Sequence, residues 1–179
     1  MSFWTDATQK DPKRAFRFLV TVGAPEFGGT MFYAKKVSRP KFTTTEVKHA
    51  YLNYEFYFPG RVQWDTVTIT VVDPTEPDIA QAIEELKLKS GYQIPVNPNS
   101  RVTIGKNRAH AALNTVLIEL IDSDGNAVEE WELHNAWLKD PTFSELSYED
   151  DNLTTVDLVI RYDWADLLPT SRNSPLLLT

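Results

Sequence analysis

Apolar and hydroxyl side chains alternate one for one within residues 62–72, where Val67, Ile69 and Val71 are set against Thr66, Thr68 and Thr70. Successive side chains of a strand point to opposite faces, whereas those of a helix return to one face about every 3.6 residues. The stretch is therefore a strand with one buried and one partly wet face, and Val, Ile and Thr suit that pleated surface. The same period recurs along the chain. Phe16, Phe18, Val20 and Val22 alternate with Arg17, Leu19 and Thr21, and Val156, Leu158, Ile160 and Tyr162 line one side of 154–163. Residues 116–121 are apolar on both faces except at Glu119, the pattern of a central strand. Residues 31–37 and 43–50 read as two further strands that pair with each other. Asp124-Gly125 supplies a hairpin turn into a return strand over 128–137.

One helix interrupts the strands, over about 76–90. Thr75 is placed as its N-cap, with Pro77 in the first turn and Asp78 three residues past the cap. Ile79, Ala82, Ile83 and Leu86 form one apolar stripe. Lys87 and Lys89 complement the dipole of the last turn, and Ser90-Gly91 ends the helix. Residues 94–110, rich in Pro, Asn and Gly, read as a long loop. The expected fold class is thus mainly β with one short helix. A β domain over 14–166 is flanked by an N-terminal arm, 1–13, and a C-terminal arm, 167–179. A chain of 179 residues is long enough to bury a core as a single domain.

Much chemistry is excluded. Zero Cys removes disulfides, thiol nucleophiles and iron–sulfur ligation. His49, His110 and His134 have no metal-ligand spacing. There is no nucleophile elbow, phosphate loop or dinucleotide fingerprint, so neither an enzyme nor a bound cofactor is expected. Asp122-Ser123-Asp124-Gly125-Asn126 partly matches a calcium loop, but Ala127 stands where that loop needs Gly and Leu133 where it needs a bidentate acid. Gly28-Gly29 reads as a hairpin tip. The N-terminal Met1-Ser2-Phe3-Trp4-Thr5-Asp6 shows no basic region before an apolar run, so no secretory signal is expected, and no apolar run is long enough to span a membrane. The net charge of −7 argues against a protein that grips nucleic acid through its phosphates. The charge is uneven: residues 119–166 hold 14 carboxylates against Lys139 and Arg161. Glu129, Glu130 and Glu132 offer possible acid–base pairs, as any β protein with 25 carboxylates does.

Two features want a partner. Five of the ten residues in 51–60 are aromatic: Tyr51, Tyr54, Phe56, Tyr57 and Phe58. As a single strand they occupy both faces, so either one face is core or the segment is an arm that packs on a neighbouring subunit, where Tyr and Phe are enriched. Leu176, Leu177 and Leu178 form an apolar triplet with the same need.

The block 60–73, Gly-Arg-Val-Gln-Trp-Asp followed by a Thr/Val strand ending at Asp73, resembles the central strand block of the tail tube proteins of contractile-tailed bacteriophages. The order of elements over 14–166 is also similar. It opens on an arm, Arg17 to Val22, a hairpin and Val37-Ser38-Arg39-Pro40, and closes on Glu132 to Trp137 and Arg161-Tyr162-Asp163-Trp164. The loop 94–110 and a longer tail depart from the pattern.

That resemblance, which extends to inner tube proteins of contractile injection systems and type VI secretion, implies a β-barrel-like sandwich whose sheets join between subunits into an inner barrel. It implies a virion tail protein, assembled in the host cytoplasm into stacked hexameric rings that form a hollow conduit for DNA ejection. An inner tube or tube-initiator protein of an injection machine or baseplate is the alternative. The partners implied are further copies of the chain, the contractile sheath protein, the tape measure protein, and the baseplate tube-initiator and tail terminator proteins. DNA would pass through the lumen without specific binding. On this reading Tyr51, Tyr54, Phe56, Tyr57, Phe58 and Leu176–Leu178 are subunit-interface candidates. Glu119, Glu129, Glu130, Glu132, Glu145 and Asp157 are candidates to face the lumen, where carboxylates repel phosphate.

Overall fold

A computed structural model describes residues 12–27, 33–76, 78–96, 101–149 and 151–169. Among the described residues ten strands and two α-helices follow one another: β1 (Phe18–Val22), β2 (Ala34–Val37), β3 (Phe42–Tyr51), β4 (Tyr54–Trp64), β5 (Val67–Val72), α1 (Ile79–Lys89), α2 (Lys106–Leu113), β6 (Val116–Ile121), β7 (Ala127–His134), β8 (Trp137–Phe143), β9 (Thr155–Arg161) and β10 (Trp164–Leu168). Two four-stranded sheets form the body, in the orders β1-β6-β7-β10 and β2-β5-β9-β8, and all their pairings are antiparallel. β3 and β4 pair only with each other, so the sheets do not close into a barrel among the described residues.

The period-2 readings place the core. Val67, Ile69 and Val71 of β5 face Ile160, Leu158 and Val156 of β9 in register, and all six are essentially inaccessible. Val20 and Val22 of β1 lie beside Ile118 and Val116 of β6, which is central in its sheet. Phe16, expected on the same face, is exposed, because β1 begins only at Phe18. Asp122 shapes the β6–β7 turn: its Oδ1 accepts from the backbone N–H of Asp124 (2.8 Å) and of Asn126 (2.9 Å), while Gly125 sits at φ +83°.

Several boundaries differ from the sequence reading. β2 pairs with β5, not with β3. The stretch 62–72 is two strands, broken at Asp65–Thr66 where the chain passes from β4 into β5. The return strand ends at His134; Asn135, at φ +54°, turns the chain so that Trp137 starts β8 in the other sheet. α1 starts later than expected. Asp78, not Thr75, is its N-cap, with Oδ1 accepting from the Gln81 N–H at 3.1 Å, while its apolar stripe Ile79, Ala82, Ile83 and Leu86 is buried as expected. Part of the expected loop 94–110 is the second helix, α2, which buries Ala109, Ala112 and Leu113. β10 runs from Trp164 through Leu168 and buries Ala165. Pro77, the Gly28-Gly29 tip and most of both arms, Leu176–Leu178 included, lie outside the described residues.

Two carboxylates tie peripheral segments to this body. Glu129, on the inward row of β7, is buried and pairs with Lys13; its Oε1 lies 3.5 Å from Arg39 and accepts from Trp131 Nε1 at 2.7 Å. Burial pushes its carboxyl up, but the hydrogen bonds from Lys13 and Trp131 and the charges of Lys13 and Arg39 outweigh burial, and the net effect is downward. Asp163 accepts from Lys106 (2.5 Å) and Asn135 (2.8 Å), which joins the start of α2 to the β7–β8 and β9–β10 turns and lowers its carboxyl. A depressed carboxyl contributes stability that is present above its unfolded value and lost as pH falls through its folded value. The melting temperature is therefore expected to stay level from neutral pH to about 5 and to fall below about 4, the unperturbed carboxylate range. Glu129→Gln should cost roughly 1–2 kcal/mol at neutral pH, since Lys13 can rehydrate, and should flatten that acid limb. Melting curves of the two proteins between pH 3 and 7 check both effects.

Candidate assembly surfaces

β3 and β4 form a two-stranded ribbon of about ten residues a side, roughly 30 Å long at the usual rise. From Phe42 to Gln63 only Thr45 is even partly covered. The ribbon is anchored at its base. Trp64 sits between Phe42 (ring centroids 5.2 Å apart) and the buried Tyr162 (5.9 Å), and Arg161 Nη1 donates to the Trp64 carbonyl at 2.7 Å. A bulge adds twist where Thr45 Oγ1 accepts from the Arg61 N–H at 2.8 Å. Gly60 is the tightest point of that bulge: a Cβ there would stand 2.4 Å from Thr45 Oγ1 and 2.9 Å from the Thr45 carbonyl oxygen. Gly60→Ala is therefore expected to displace Thr45 and alter the ribbon's direction while leaving the two body sheets in register. Amide exchange confined to β3 and β4 would show this.

The two-residue turn Leu52–Asn53 decides what the ribbon presents. Because the chain reverses there, Tyr51 lies opposite Tyr54, His49 opposite Phe56 and Val47 opposite Phe58. Tyr51, Tyr54, Phe56 and Phe58 thus share one face, where a single straight strand would have split them. Tyr57 faces the other way, opposite Lys48. On that second face Lys48 pairs with Glu55 (2.5 Å) and Tyr57 donates to Glu55 (2.9 Å), which together hold the Glu55 carboxyl below its ordinary range. One face is polar and internally paired; the other is aromatic and open, each of its four rings at least half exposed. At the tip, Leu52 is exposed and held at φ +52°, a backbone region that costs a side chain such as Leu about 1–2 kcal/mol. The four rings thus form a continuous apolar surface left uncovered in the isolated chain.

The acidic candidates separate by strand parity. Glu119, Glu130 and Glu132 point outward from the β1-β6-β7-β10 sheet, with Glu119 directly opposite Glu130 and Glu132 opposite Leu117 on one side and Asp166 on the other. Burial, with the neighbouring Glu130 charge, raises the Glu119 carboxyl. No ion pair relieves these three among the described residues. Asp166 Oδ2 lies 2.9 Å from His134 Nε2 and accepts from Trp164 Nε1 at 3.3 Å. Glu129, by contrast, points inward to its pairing with Lys13. It does not lie on that outward face, as its odd position between two even ones requires. Asp157 is on the other sheet, where Thr70 Oγ1 donates to it at 2.5 Å, and Glu145 is in the loop between β8 and β9. The described residues hold no cluster of His, Cys, Asp and Glu able to bind a metal, and no helix long and apolar enough to cross a membrane.

No family model matches the chain, and no curated protein matches its sequence. Solved structures do. A chain of the anti-feeding prophage baseplate is similar with a TM-score of 0.64 and 15% identity, over 89% of this chain and 97% of that one. A chain of the sheath/tube terminator of PVC, an extracellular contractile injection system, in its extended state, gives 0.64 and 16% over 89% and 98%. A chain of the tube-terminating cap of the anti-feeding prophage gives 0.64 and 14% over 94% and 99%. At such identities the likeness concerns the fold, and it spans nearly the whole of each chain: the protein adopts the tail-tube fold seen in contractile injection particles.

Proposed function

We propose that this chain is a structural, non-enzymatic tube subunit of a contractile tail, which self-assembles into stacked hexameric rings enclosing a channel for ejected DNA. The observation that carries the proposal is the uncovered aromatic face of the β3–β4 ribbon, joined to a body of the tail-tube fold. Stacking identical rings is head-to-tail association, which propagates into a filament and needs one projecting element per subunit. Tyr51, Tyr54, Phe56 and Phe58 are the side chains offered for it; Tyr57 takes part from the polar face, and Leu176–Leu178 from the tail. Among the structures that share the fold are a sixfold-symmetrised baseplate and a sheath–tube complex. The edge strands of both sheets, which have no outer partner strand among the described residues, suit joining across subunits, which also removes edges that otherwise invite uncontrolled pairing.

The outward row of Glu119, Glu130 and Glu132 is the surface we assign to the lumen. Three uncompensated carboxylates on one sheet face repel phosphate, the reverse of the counterion release that binds DNA. Sheath, tape measure, initiator and terminator proteins are the partners of such a tube, and a virion tail is its place. Sedimentation over a wide concentration range tests the assembly claim. Pelletable polymer that grows above a threshold supports it, and a monodisperse monomer throughout contradicts it. A second reading, a cap, terminator or initiator ring, is favoured by the likeness to chains of a baseplate, a terminator and a cap. It predicts rings that form but do not stack on one another.

A further inference from the structure

We propose that the concavity lined by residues 144–148 and 151–155 seats the aromatic ribbon of a second copy of this chain. The inference rests on the tube reading above and deepens it by naming the acceptor. The sheet β2-β5-β9-β8 carries the argument. At one end β2 runs into the ribbon and β5 leaves it; there Val37 pairs with Ile69, and Val67 with Ile160. At the opposite end Val72 pairs with Thr155 and Phe143 with Val156, and there the loop from β8 to β9 turns back. The ribbon and this loop therefore leave opposite ends of one sheet. A donor at one end and an acceptor at the other form a head-to-tail contact, which repeats without closing on itself.

The loop has the form and chemistry of a seat. Ser144 and Thr155 clamp its mouth, through the Ser144 N–H to the Thr155 carbonyl (2.9 Å) and the Thr155 N–H to Ser144 Oγ (3.1 Å). Beyond the clamp lies an open concavity of about 830 Å³, lined by Leu146, Tyr148 and Leu153 with Glu145, Asp151 and Lys35 among the polar groups. A volume of this order takes a drug-sized ligand, hence a few side chains from a ribbon tip. Its three apolar groups are far more exposed than a lone chain needs, with Leu146 at 83% and Leu153 at 73%. The chemistry is complementary: the aromatic face carries the hydroxyls of Tyr51 and Tyr54 and the imidazole of His49, which can donate to Glu145 and Asp151 of the seat, while Lys48 stays on the other face with Glu55. Two ribbons meeting face to face would bury the same rings but would stop at a dimer and leave the seat empty.

Two variants and their mixture test the proposal. Phe56→Asp with Phe58→Asp spoils the ribbon, and Leu146→Asp with Leu153→Asp spoils the seat. All four side chains are exposed, so melting temperatures close to the wild type are expected. Each variant alone should raise the threshold concentration for polymer at least tenfold, while an equimolar mixture should form a complex of limited size through the one intact ribbon–seat pair. A seat variant that polymerises like the wild type, or a mixture that stays unassociated, overturns the seat and leaves the tube reading standing; a wild type that never polymerises overturns both. The chain has no Cys, so Phe56→Cys combined with Tyr148→Cys gives a second readout that does not depend on the Asp variants folding. Mild oxidation should give a ladder of cross-linked multimers in the double variant and none in either single variant. Dimers from Phe56→Cys alone would instead show ribbon-to-ribbon pairing and overturn the proposal.

Discussion

Tyr54→Ala and Phe56→Ala should each leave the melting temperature of the monomer within about a degree of the wild type and sharply reduce polymer. Both side chains are at least half exposed in the isolated chain, and no body strand pairs with the ribbon, so truncation removes almost no folded-state packing. In an assembled tube the same rings would be enclosed. An interface aromatic typically contributes about 2 kcal/mol or more, close to thirtyfold in the affinity of one contact. A ring joined to the next through one ribbon per subunit loses that contribution at every contact, so the threshold for polymer should rise well beyond thirtyfold. Far-ultraviolet melting and sedimentation on the same samples separate the two effects. Unfolding of the monomer by both substitutions would mean that the ribbon packs on the body, and the docking reading would be wrong.

The largest effect on the fold itself is expected at Ile69. It lies in the middle of β5, fully buried, and pairs with Leu158 of β9 at the centre of the core. Ile69→Ala removes three carbons and leaves a cavity that close-packed neighbours fill only in part, at a cost of about 3 kcal/mol. For a domain of this size each kcal/mol lowers the melting temperature by roughly 2–4 °C, so a drop of about 6–12 °C is expected. Thr68→Ala, one residue away on the opposite face, should shift it far less. Equal shifts for the pair would contradict the assignment of faces in β5.

Much of the fold was legible because strand parity is a strong signal wherever one face is dry. β5, β9 and β1 declared themselves through alternation, β6 through its two apolar faces, and α1 through the Ile79–Leu86 stripe. What was hidden depended on signals that period alone does not carry. α2 buries two Ala and one Leu, a stripe too small to stand out, and Gly105 gives it no capping side chain. The passage of the chain from β7 into the other sheet hangs on the left-handed Asn135. The N-cap moved to Asp78 because its carboxylate reaches the Gln81 N–H.

The candidate surfaces show the same division. That 51–60 carries more aromatic surface than one strand can cover could be read from its five aromatic residues. That four of them share one face could not, because Leu52 is a poor turn residue and the reversal at Leu52–Asn53 left no Gly or Pro as a mark. Among the acids, parity along β7 is legible in the sequence and puts Glu130 and Glu132 on one face and Glu129 on the other. The register that adds Glu119 to the first pair arises from a long-range strand pairing that no local pattern announces.

Electron cryomicroscopy of the purified protein above its polymerisation threshold tests the central claim most directly. The account predicts hollow tubes of stacked six-membered rings, with density for the β3–β4 ribbon bridging each ring to the next. Monomers, or single rings that do not stack at any concentration, would contradict it.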